Sequence, residues 1–402
     1  MQPFDIVIIG GGMVGASLAC ALRDTSLRIA LVDAAPLNTE NDPRLIALNY
    51  SSYCLFNNLG VWDAMASHAE AIKQVHVSDR GHLGMTRLNA SDVGLSALGY
   101  VVPAKYINAA LDHTLNQHAA NHPESQHITI LRPAKLKMLT QTDKLATLTI
   151  ETESGEIQLE TKLVIGADGT HSTVRAELGI TSEVTDYQQS ALVTITTLNR
   201  PHQNIAYERF HTSGAIAMLP LTEQRVATIW TDEKEVIAHL LQLNDAEFLA
   251  ELQKQFGYRV GRLMSVAKRH MFPLQMMKTT QTHKQQVLLI GNAAHTLHPI
   301  AAQGLNLALA EIAMLAQVIL DTPQLTDWQP YLDWQQKQES ASAGLSHQLP
   351  RLFASDFSVM NFIRQLGMIG LDITPGLKRR FAWRAMGRTD NTPRLLLKNN
   401  AL

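Results

Sequence analysis

The sequence predicts an α/β protein with three parts: a discontinuous Rossmann-like nucleotide-binding domain, an interleaved antiparallel β-sheet domain, and a helical C-terminal segment. Three observations predict it. Short runs rich in Val, Ile and Leu, fit for strands buried on both faces, recur at Phe4–Ile9, Arg28–Val32, Leu163–Gly166 and Val287–Ile290. The first run passes through a glycine-rich turn into a helical stretch, Ala16–Arg23, and then into the second run. That strand–helix–strand unit of about 30 residues is expected to cross over right-handed. Material of antiparallel character separates the second, third and fourth runs, so the nucleotide domain is interrupted by another.

The elements follow in order. Residues 34–43 are polar and contain Pro36 and Pro43, which marks a loop. Leu45–Leu59 is read as a helix closed by Gly60. Ile72–Ser78 and Met85–Leu88 read as short strands, and Ala104–Ala120 as a helix. Ile128–Leu131, Lys135–Gln141, Ala146–Glu151 and Glu156–Glu160 read as a β-meander with Ser154-Gly155 in one turn. Ala191–Trp230 is strand-rich, Glu233–Phe256 helical, Gln303–Leu320 a long apolar helix, and Trp328 to about Ala385 mostly helical. The expected domains are 1–70, 101–180 and 265–335 for nucleotide binding, 71–100 and 181–264 for substrate, and 336–402 for the C-terminal segment.

Composition narrows the function classes. Of 402 residues 46% are hydrophobic and 17% charged, against roughly 25% charged in ordinary domains. Such a chain buries enough surface to offset its ordering entropy, which excludes disorder as its main character. Net charge is −2, from 36 acidic and 34 basic residues, so no general field attracts nucleic acid. Only Lys378-Arg379-Arg380 with Arg384 and Arg388 is locally basic. Two cysteines, Cys20 and Cys54, exclude a disulfide scaffold and a multi-cysteine metal site, and their apolar surroundings mark them as buried hydrophobes. The longest apolar stretch, Leu307–Leu320, is interrupted by Glu311 and Gln317, and it is shorter than the roughly 20 residues of a membrane span. No Lys or Arg precedes the first apolar run, which speaks against a signal peptide. A soluble cytoplasmic enzyme is expected.

Gly10-Gly11-Gly12-Met13-Val14-Gly15 satisfies G-x-G-x-x-G, with a strand before it, a helix after it and Asp33 at the end of the next strand. Gly10 permits the tight turn, Gly12 lets the backbone approach a pyrophosphate, and Gly15 lets helix and strand pack closely. The helix start offers unpaired N–H groups to phosphate oxygens. Asp33 is suited to accept hydrogen bonds from a ribose and disfavours a 2′-phosphate. The turn alone leaves FAD and NAD both open.

Two more motifs stand at strand ends. Gly166-Ala167-Asp168-Gly169-Thr170-His171-Ser172-Thr173-Val174-Arg175 follows the third run. Gly291-Asn292-Ala293-Ala294-His295-Thr296-Leu297-His298-Pro299 follows the fourth, and Gln303-Gly304-Leu305-Asn306 opens the last long helix. Ligands of open α/β sheets sit at such strand C-termini.

With these residues in this order the sequence resembles the class A flavoprotein aromatic hydroxylases, the family typified by p-hydroxybenzoate hydroxylase, over nearly its whole length. The resemblance implies FAD as cofactor, its ADP half held by Gly10, Gly12, Gly15 and Asp33, with Arg44 and Lys105 at further contact positions. It places Asp168, with Gly169 and Arg175, near FAD and links that motif to nicotinamide use. It sets Gly291 and Asn292 at the ribityl chain, and Pro299, Gly304, Leu305 and Asn306 along the isoalloxazine. Asn292 stands where most members have Asp, Ala302 and Ala308 where many have Gly, and Lys105 where Arg is common.

Gly60-Val61-Trp62, Val75 through His82, Glu208-Arg209-Phe210 and Ala217-Met218-Leu219-Pro220 are similar to the ubiquinone-biosynthesis hydroxylase subfamily. The segment Val75-His76-Val77-Ser78-Asp79-Arg80-Gly81-His82 is most similar to hydroxylases of 2-polyprenyl-6-methoxyphenol. The resemblance implies a monooxygenase: NAD(P)H as transient reductant, O2 as co-substrate, and a flavin hydroperoxide that hydroxylates a polyprenylated phenol to the 1,4-benzoquinol. A sister hydroxylase acting at another ring position, a prenyl-chain flavin reductase and a non-catalytic FAD-binding scaffold are the alternatives. Tyr207, Phe210, Met218 and Leu219 are candidates for an apolar substrate wall or for sheet core, and His298 for orienting the substrate hydroxyl. No catalytic base and no metal ligands are assigned.

The expected partners are a hydrophobic polyprenyl phenol and no nucleic acid. Peripheral contact with the inner membrane, a quinone-biosynthesis complex and self-association stay open. The mixed apolar and arginine-rich stretch Leu349–Arg388 is the candidate contact, or a helix packed on its own domain.

Overall fold

The computed structural model describes residues 3–36, 42–81, 84–121, 127–296, 303–322, 324–338, 372, 374–388 and 391–398. Its first sheet runs His283–Lys284, Val287–Leu289, Gly155–Gly166, Phe4–Ile9, Ile29–Val32, Ile128–Leu131. The central strands are parallel, with Ile9 opposite Gly166 and Val32, and Gly166 opposite Leu289. Alternation sorts their side chains. Ile6, Ile8, Ile165 and Leu288 pack under the helices Met13–Leu22, Ala104–Asn121 and Gln303–Asp321. Val7, Ile9, Val164 and Leu289 face the antiparallel strands Ala134–Gln141 and Ala146–Thr152. Both faces are covered, which is why these strands read as continuous apolar runs.

A second sheet is mostly antiparallel, in the order His295–Thr296, His270–Thr279, Ser182–Leu198, Arg225–Glu233, Gly214–Leu221, Ile205–His211, Gln74–Asp79, Met85–Asn89. One face is covered by the helices Lys234–Gln242 and Asp245–Phe256, through Leu192, Met218, Trp230, Ile237, Phe248 and Phe256. The opposite face packs through Ala206, Leu219, Leu221, Ala227 and Ile229 against Leu45, Ile72 and Val101 of a small three-stranded sheet, Leu45–Asn49, Gly99–Pro103 and Glu70–Ile72. That small sheet joins the two large units.

Several expectations are corrected. Leu45–Leu59 starts as the strand Leu45–Asn49, paired with Gly99–Pro103, and only Tyr50–Asn58 is helical. Asn49 marks the change, its side chain accepting a hydrogen bond from the Ser52 N–H at 2.9 Å as a helix cap. The expected strands 156–160 and 163–166 are one strand, Gly155–Gly166, antiparallel to Ala146–Thr152 at its start and parallel to Phe4–Ile9 at its end. Ile128–Leu131 pairs in parallel with Ile29–Val32 rather than joining the meander. Glu233–Phe256 is two helices, the second capped by Asn244, whose side chain accepts from the Glu247 N–H. His270–Thr279 pairs with Ser182–Leu198, so the second sheet runs beyond the boundary set at 265. The helix Gln303–Asp321 is long and apolar enough to cross a membrane, yet Leu309, Ile312, Ala313, Leu315 and Ala316 are wholly buried in the first core. Cys20 and Cys54 are buried, and burial pushes the Cys20 thiol up to about 12. In the C-terminal segment helices cover 329–338 and Pro375–Ala385, and most residues between them lie outside those described.

Candidate functional site

The glycine turn is dictated by close backbone contacts. Gly10 has φ +106°, and a Cβ there would lie 2.4 Å from the Ala167 carbonyl oxygen. A Cβ on Gly15 would lie 1.9 Å from the Gly10 carbonyl oxygen. The Ala167 N–H donates to the Ile9 carbonyl at 2.8 Å, locking the first and second motifs side by side. Gly12 differs: among the described residues a Cβ there would meet nothing within 4 Å, and no side chain caps the helix it starts. The first N–H groups of Met13–Leu22 therefore open onto space suited to an anion.

Asp33 sits at the end of Ile29–Val32, beside this turn. Arg132, which sequence reasoning did not single out, reaches it at 3.2 Å. The same guanidinium pairs with Asp112 at 2.9 Å and donates to the Gly11 carbonyl at 3.1 Å. Burial raises the Asp112 carboxyl, and Arg132 only partly opposes that. The signal for Arg132 was positional: it follows Leu131, the last residue of the strand beside Ile29–Val32.

Arg44 is half exposed and held by Asp42, with contacts of 2.6 to 3.1 Å to its carboxylate. That hydrogen bonding raises the Arg44 pKa. Lys105, at the start of Ala104–Asn121, lies with Nζ 5.0 Å over the Tyr106 ring.

Asp168 accepts from the Thr173 and Val174 N–H groups through Oδ2, at 2.7 and 3.1 Å, while its Oδ1 is buried without a partner among the described residues. Arg175 donates to the Ala293 carbonyl at 2.9 Å and to the Thr170 carbonyl at 2.6 Å, tying the second motif to the third. Asn292 is exposed, and buried Gly291 has φ +56°.

The Gly291 N–H donates to Glu311 at 3.0 Å, and His295 Nε2 lies 2.7 Å from the other carboxylate oxygen of the same residue. Gln335 Nε2 donates to Glu311 at 3.0 Å, and Thr282 donates to Gln335 at 2.8 Å. Burial pushes Glu311 up, but His295, Gln335 and the Gly291 N–H outweigh it and hold the carboxyl below its ordinary value. Sequence reasoning saw Glu311 only as an interruption of an apolar stretch, and the signal it missed was a charge at the centre of a buried helix.

Gly304 and Leu305 are partly exposed at the start of Gln303–Asp321, and a Cβ on Gly304 would meet nothing within 4 Å. Asn306 turns inward: its side chain accepts from the Asn49 N–H and the Ser52 hydroxyl and donates to the Ala47 carbonyl. It fixes the strand-to-helix change at residue 49 rather than lining open space. His298, Pro299 and Ala302 lie outside the described residues.

The substrate-side candidates divide by sheet face. Tyr207 and Met218 stand opposite each other in register on the helix-covered face, in the core with Trp230, Phe248 and Phe256. The Tyr207 ring lies edge-on to Phe256 at 5.9 Å. Met218 is wholly buried in that core, and half-buried Tyr207 packs at its edge. Phe210 faces the other way, buried with Ala215 and Val77, and Leu219 shares that inner face. Glu208 lies between Ala206 and Phe210 on the same inner face and was quoted only as part of a motif.

The described residues fit FAD. Gly12 and Gly304 both have open flanks, and Asp168 Oδ1 is a buried acceptor without a partner, among the described residues. The FAD binding domain family matches residues 3–323. The 3-demethoxyubiquinol 3-hydroxylase of Escherichia coli K12 is 31% identical over 402 residues, covering 96% of this chain and 99% of that protein. Ubiquinone hydroxylase UbiL of Rhodospirillum rubrum is 28% identical over 400 residues, covering 95% and 89%. In fold, p-nitrophenol 4-monooxygenase PnpA from Pseudomonas putida DLL-E4 superposes with a TM-score of 0.77 at 14% identity, over 97% of this chain and 100% of that one.

Proposed function

This chain belongs to the FAD-binding aromatic hydroxylase family, and on that premise we propose a monooxygenase that hydroxylates a polyprenylated phenol in ubiquinone biosynthesis. The ring substrate is a 2-polyprenyl-6-methoxyphenol, attacked para to its hydroxyl to give the 1,4-benzoquinol. O2 is the co-substrate, and NAD(P)H supplies reducing equivalents. The observation that carries the reading is the junction of two unlike surfaces. An uncapped helix start beside the paired Asp33 lies on one sheet, and a largely apolar inner face lies on the other.

FAD, when bound, supplies the oxygen-activating chemistry, and the protein supplies position, polarity and dryness. The N–H groups after Gly12 receive the pyrophosphate, and Asp33, steadied by Arg132, accepts from the adenosine ribose. Glu311 fixes the Gly291 turn through its N–H and holds His295, whose strand pairs with His270–Thr279 of the second sheet. The third motif is thereby anchored to both units. The inner face, with Phe210, Leu219 and Ile229, excludes water from the reacting ring.

A second reading is hydroxylation at another ring position, which the name of the Escherichia coli relative supports. Purified protein is expected to be yellow, to release FAD on denaturation, and to consume O2 with reductant and a short-tailed 2-prenyl-6-methoxyphenol. Product NMR separates the two readings by ring position. A folded, colourless preparation that takes up no flavin on reconstitution would sink both.

Exposed Leu377 and Phe381, on the helix that carries Arg379, Arg380 and Arg384, support a peripheral membrane contact that would meet a lipid-soluble substrate. Flotation with vesicles containing anionic phospholipid reads that contact, and protein left at the bottom of the gradient removes it.

A further inference from the structure

We propose that Glu208 receives the phenol hydroxyl of the substrate and takes its proton as the ring is hydroxylated. The inference rests on the phenol hydroxylation proposed above and names the residue that serves it.

The placement follows from alternation along Ile205–His211. Tyr207 packs toward the helices, and Ala206 and Phe210 face the small sheet side, so Glu208 shares the inner face with them. In register it stands opposite Ala217 on one neighbouring strand and Val77 on the other. Ala215 and Leu219 flank Ala217 on that face. A carboxyl thus interrupts a largely apolar surface, and the residue opposite it is the small Ala217.

Among the described residues Glu208 makes no hydrogen bond or ion pair, and it keeps part of its surface accessible. The ionisable groups around this face are otherwise engaged or distant. Asp79 lies opposite Phe210, one step along the neighbouring strand. Glu70, on the small sheet, is bonded by Asn204. Lys378, on the helix packed near Val75, pairs with Asp92 and Asp372, and Arg388 lies over Tyr50 and Trp383. The facing strands Gly214–Leu221 and Met85–Asn89 bring Ala217, Leu219, Thr86 and Leu88. A carboxyl in such a frame, with no cation paired to it among the described residues, is a structural cost unless a ligand uses it. Burial alone pushes it up to about 7, where a general base is matched to neutral solution.

The proton ledger closes. The phenol O–H bond breaks, its proton passes to a Glu208 carboxylate oxygen, and the electron pair stays on the ring oxygen, enriching the para carbon. O2 with two electrons from NAD(P)H and one further proton supplies the incoming hydroxyl: the O–O bond breaks, a C–O bond forms at the para carbon, and the second oxygen leaves as water. The para C–H bond then breaks, its proton leaves to solvent, and Glu208 returns its own proton to the ring oxygen to complete the quinol.

The test uses FAD-loaded wild type, Glu208→Gln and Glu208→Asp with a short-tailed 2-prenyl-6-methoxyphenol. Coupled quinol formation is expected to fall about 10²-fold or more in Glu208→Gln. Phenol affinity, read from the flavin absorbance change on binding, should shift less than about tenfold, a loss in kcat rather than in KM. The wild-type rate should rise with pH through about 7, where the carboxylate form becomes populated, and Glu208→Gln should lose that limb. Glu208→Asp should keep the limb at a lower rate, which holds the test open if the Gln variant folds poorly. Wild-type rate and limb in both variants would overturn the role of Glu208 alone. Wild type that holds FAD yet forms no quinol would overturn the phenol reading and this inference with it.

Discussion

At the Gly10 end of the site recognition is built from backbone and fixed charge, whereas the inner face of the second sheet is built largely from apolar side chains, with the Glu208 carboxyl among them. The first end tolerates almost no change of shape: Gly10 and Gly15 each meet a carbonyl oxygen closer than a Cβ allows. Its acid, Asp33, is paired with Arg132 in advance. The second end offers small residues, Ala206, Ala215 and Ala217, and leaves Glu208 without a partner among the described residues. A polar, common ligand is met by pre-set geometry, and a greasy, variable one by small apolar side chains and few polar handles.

The contrast can be broken most severely at Gly15. Gly15→Ala is expected to cost more than about 4 kcal/mol, because helix and strand cannot both keep their places, and to abolish soluble flavoprotein. Urea denaturation and flavin content report it, and a yellow protein of normal stability would deny the close packing.

Glu311→Ala comes next, at about 3–5 kcal/mol, since it leaves His295 and the Gly291 N–H buried without their acceptor. The wild-type contribution has a defined pH sign. The folded carboxyl lies below its ordinary value of 4.5, so its stabilisation is complete above that value and is lost as pH falls below it. Wild type should therefore lose its advantage over Glu311→Gln in denaturant midpoint as pH is taken below about 4.5.

A smaller effect separates cofactor grip from stability. Arg44→Ala removes a half-exposed cation held, among the described residues, by Asp42 and should weaken FAD retention about tenfold, or about 1.4 kcal/mol. Its stability should stay within about 0.5 kcal/mol of wild type. Fluorescence titration of the apoprotein with FAD measures the first, and unchanged affinity would count against the contact.

The smallest effect tests the two faces of the second sheet. Met218→Leu conserves volume in the helix-covered core and should cost under about 1.5 kcal/mol, with kcat/KM unchanged. A changed specificity would return Met218 to the substrate wall.

The parallel strands and the glycine turn were legible in the sequence because each obeys a local rule. Burial on both faces gives an apolar run, and a tight approach demands glycine. Leu45–Asn49 was not legible, since an apolar run followed by a helix reads as more helix until its partner Gly99–Pro103 is known. Arg132 and Glu311 were missed for the same reason, as their meaning lies in neighbours 99 and 16 residues away, Asp33 and His295. Tyr207 and Met218 stay open between wall and sheet core in the sequence, because parity against the helices, which packs both on the helix-covered face, is not displayed there.

The sheet order has a consequence for how the chain comes into being. Phe4–Ile9 pairs with Gly155–Gly166, which pairs in turn with Val287–Leu289, and the Gly291 turn waits for Glu311. During synthesis the sheet must therefore remain unfinished until Val287–Leu289 has left the ribosome and can pair with Gly155–Gly166. Such long-range pairing slows assembly and exposes bare strand edges meanwhile. A ligand that bridges the early and late motifs would then act as a closing clasp on the newborn chain as well as a reagent, so flavin supply should set how much protein matures.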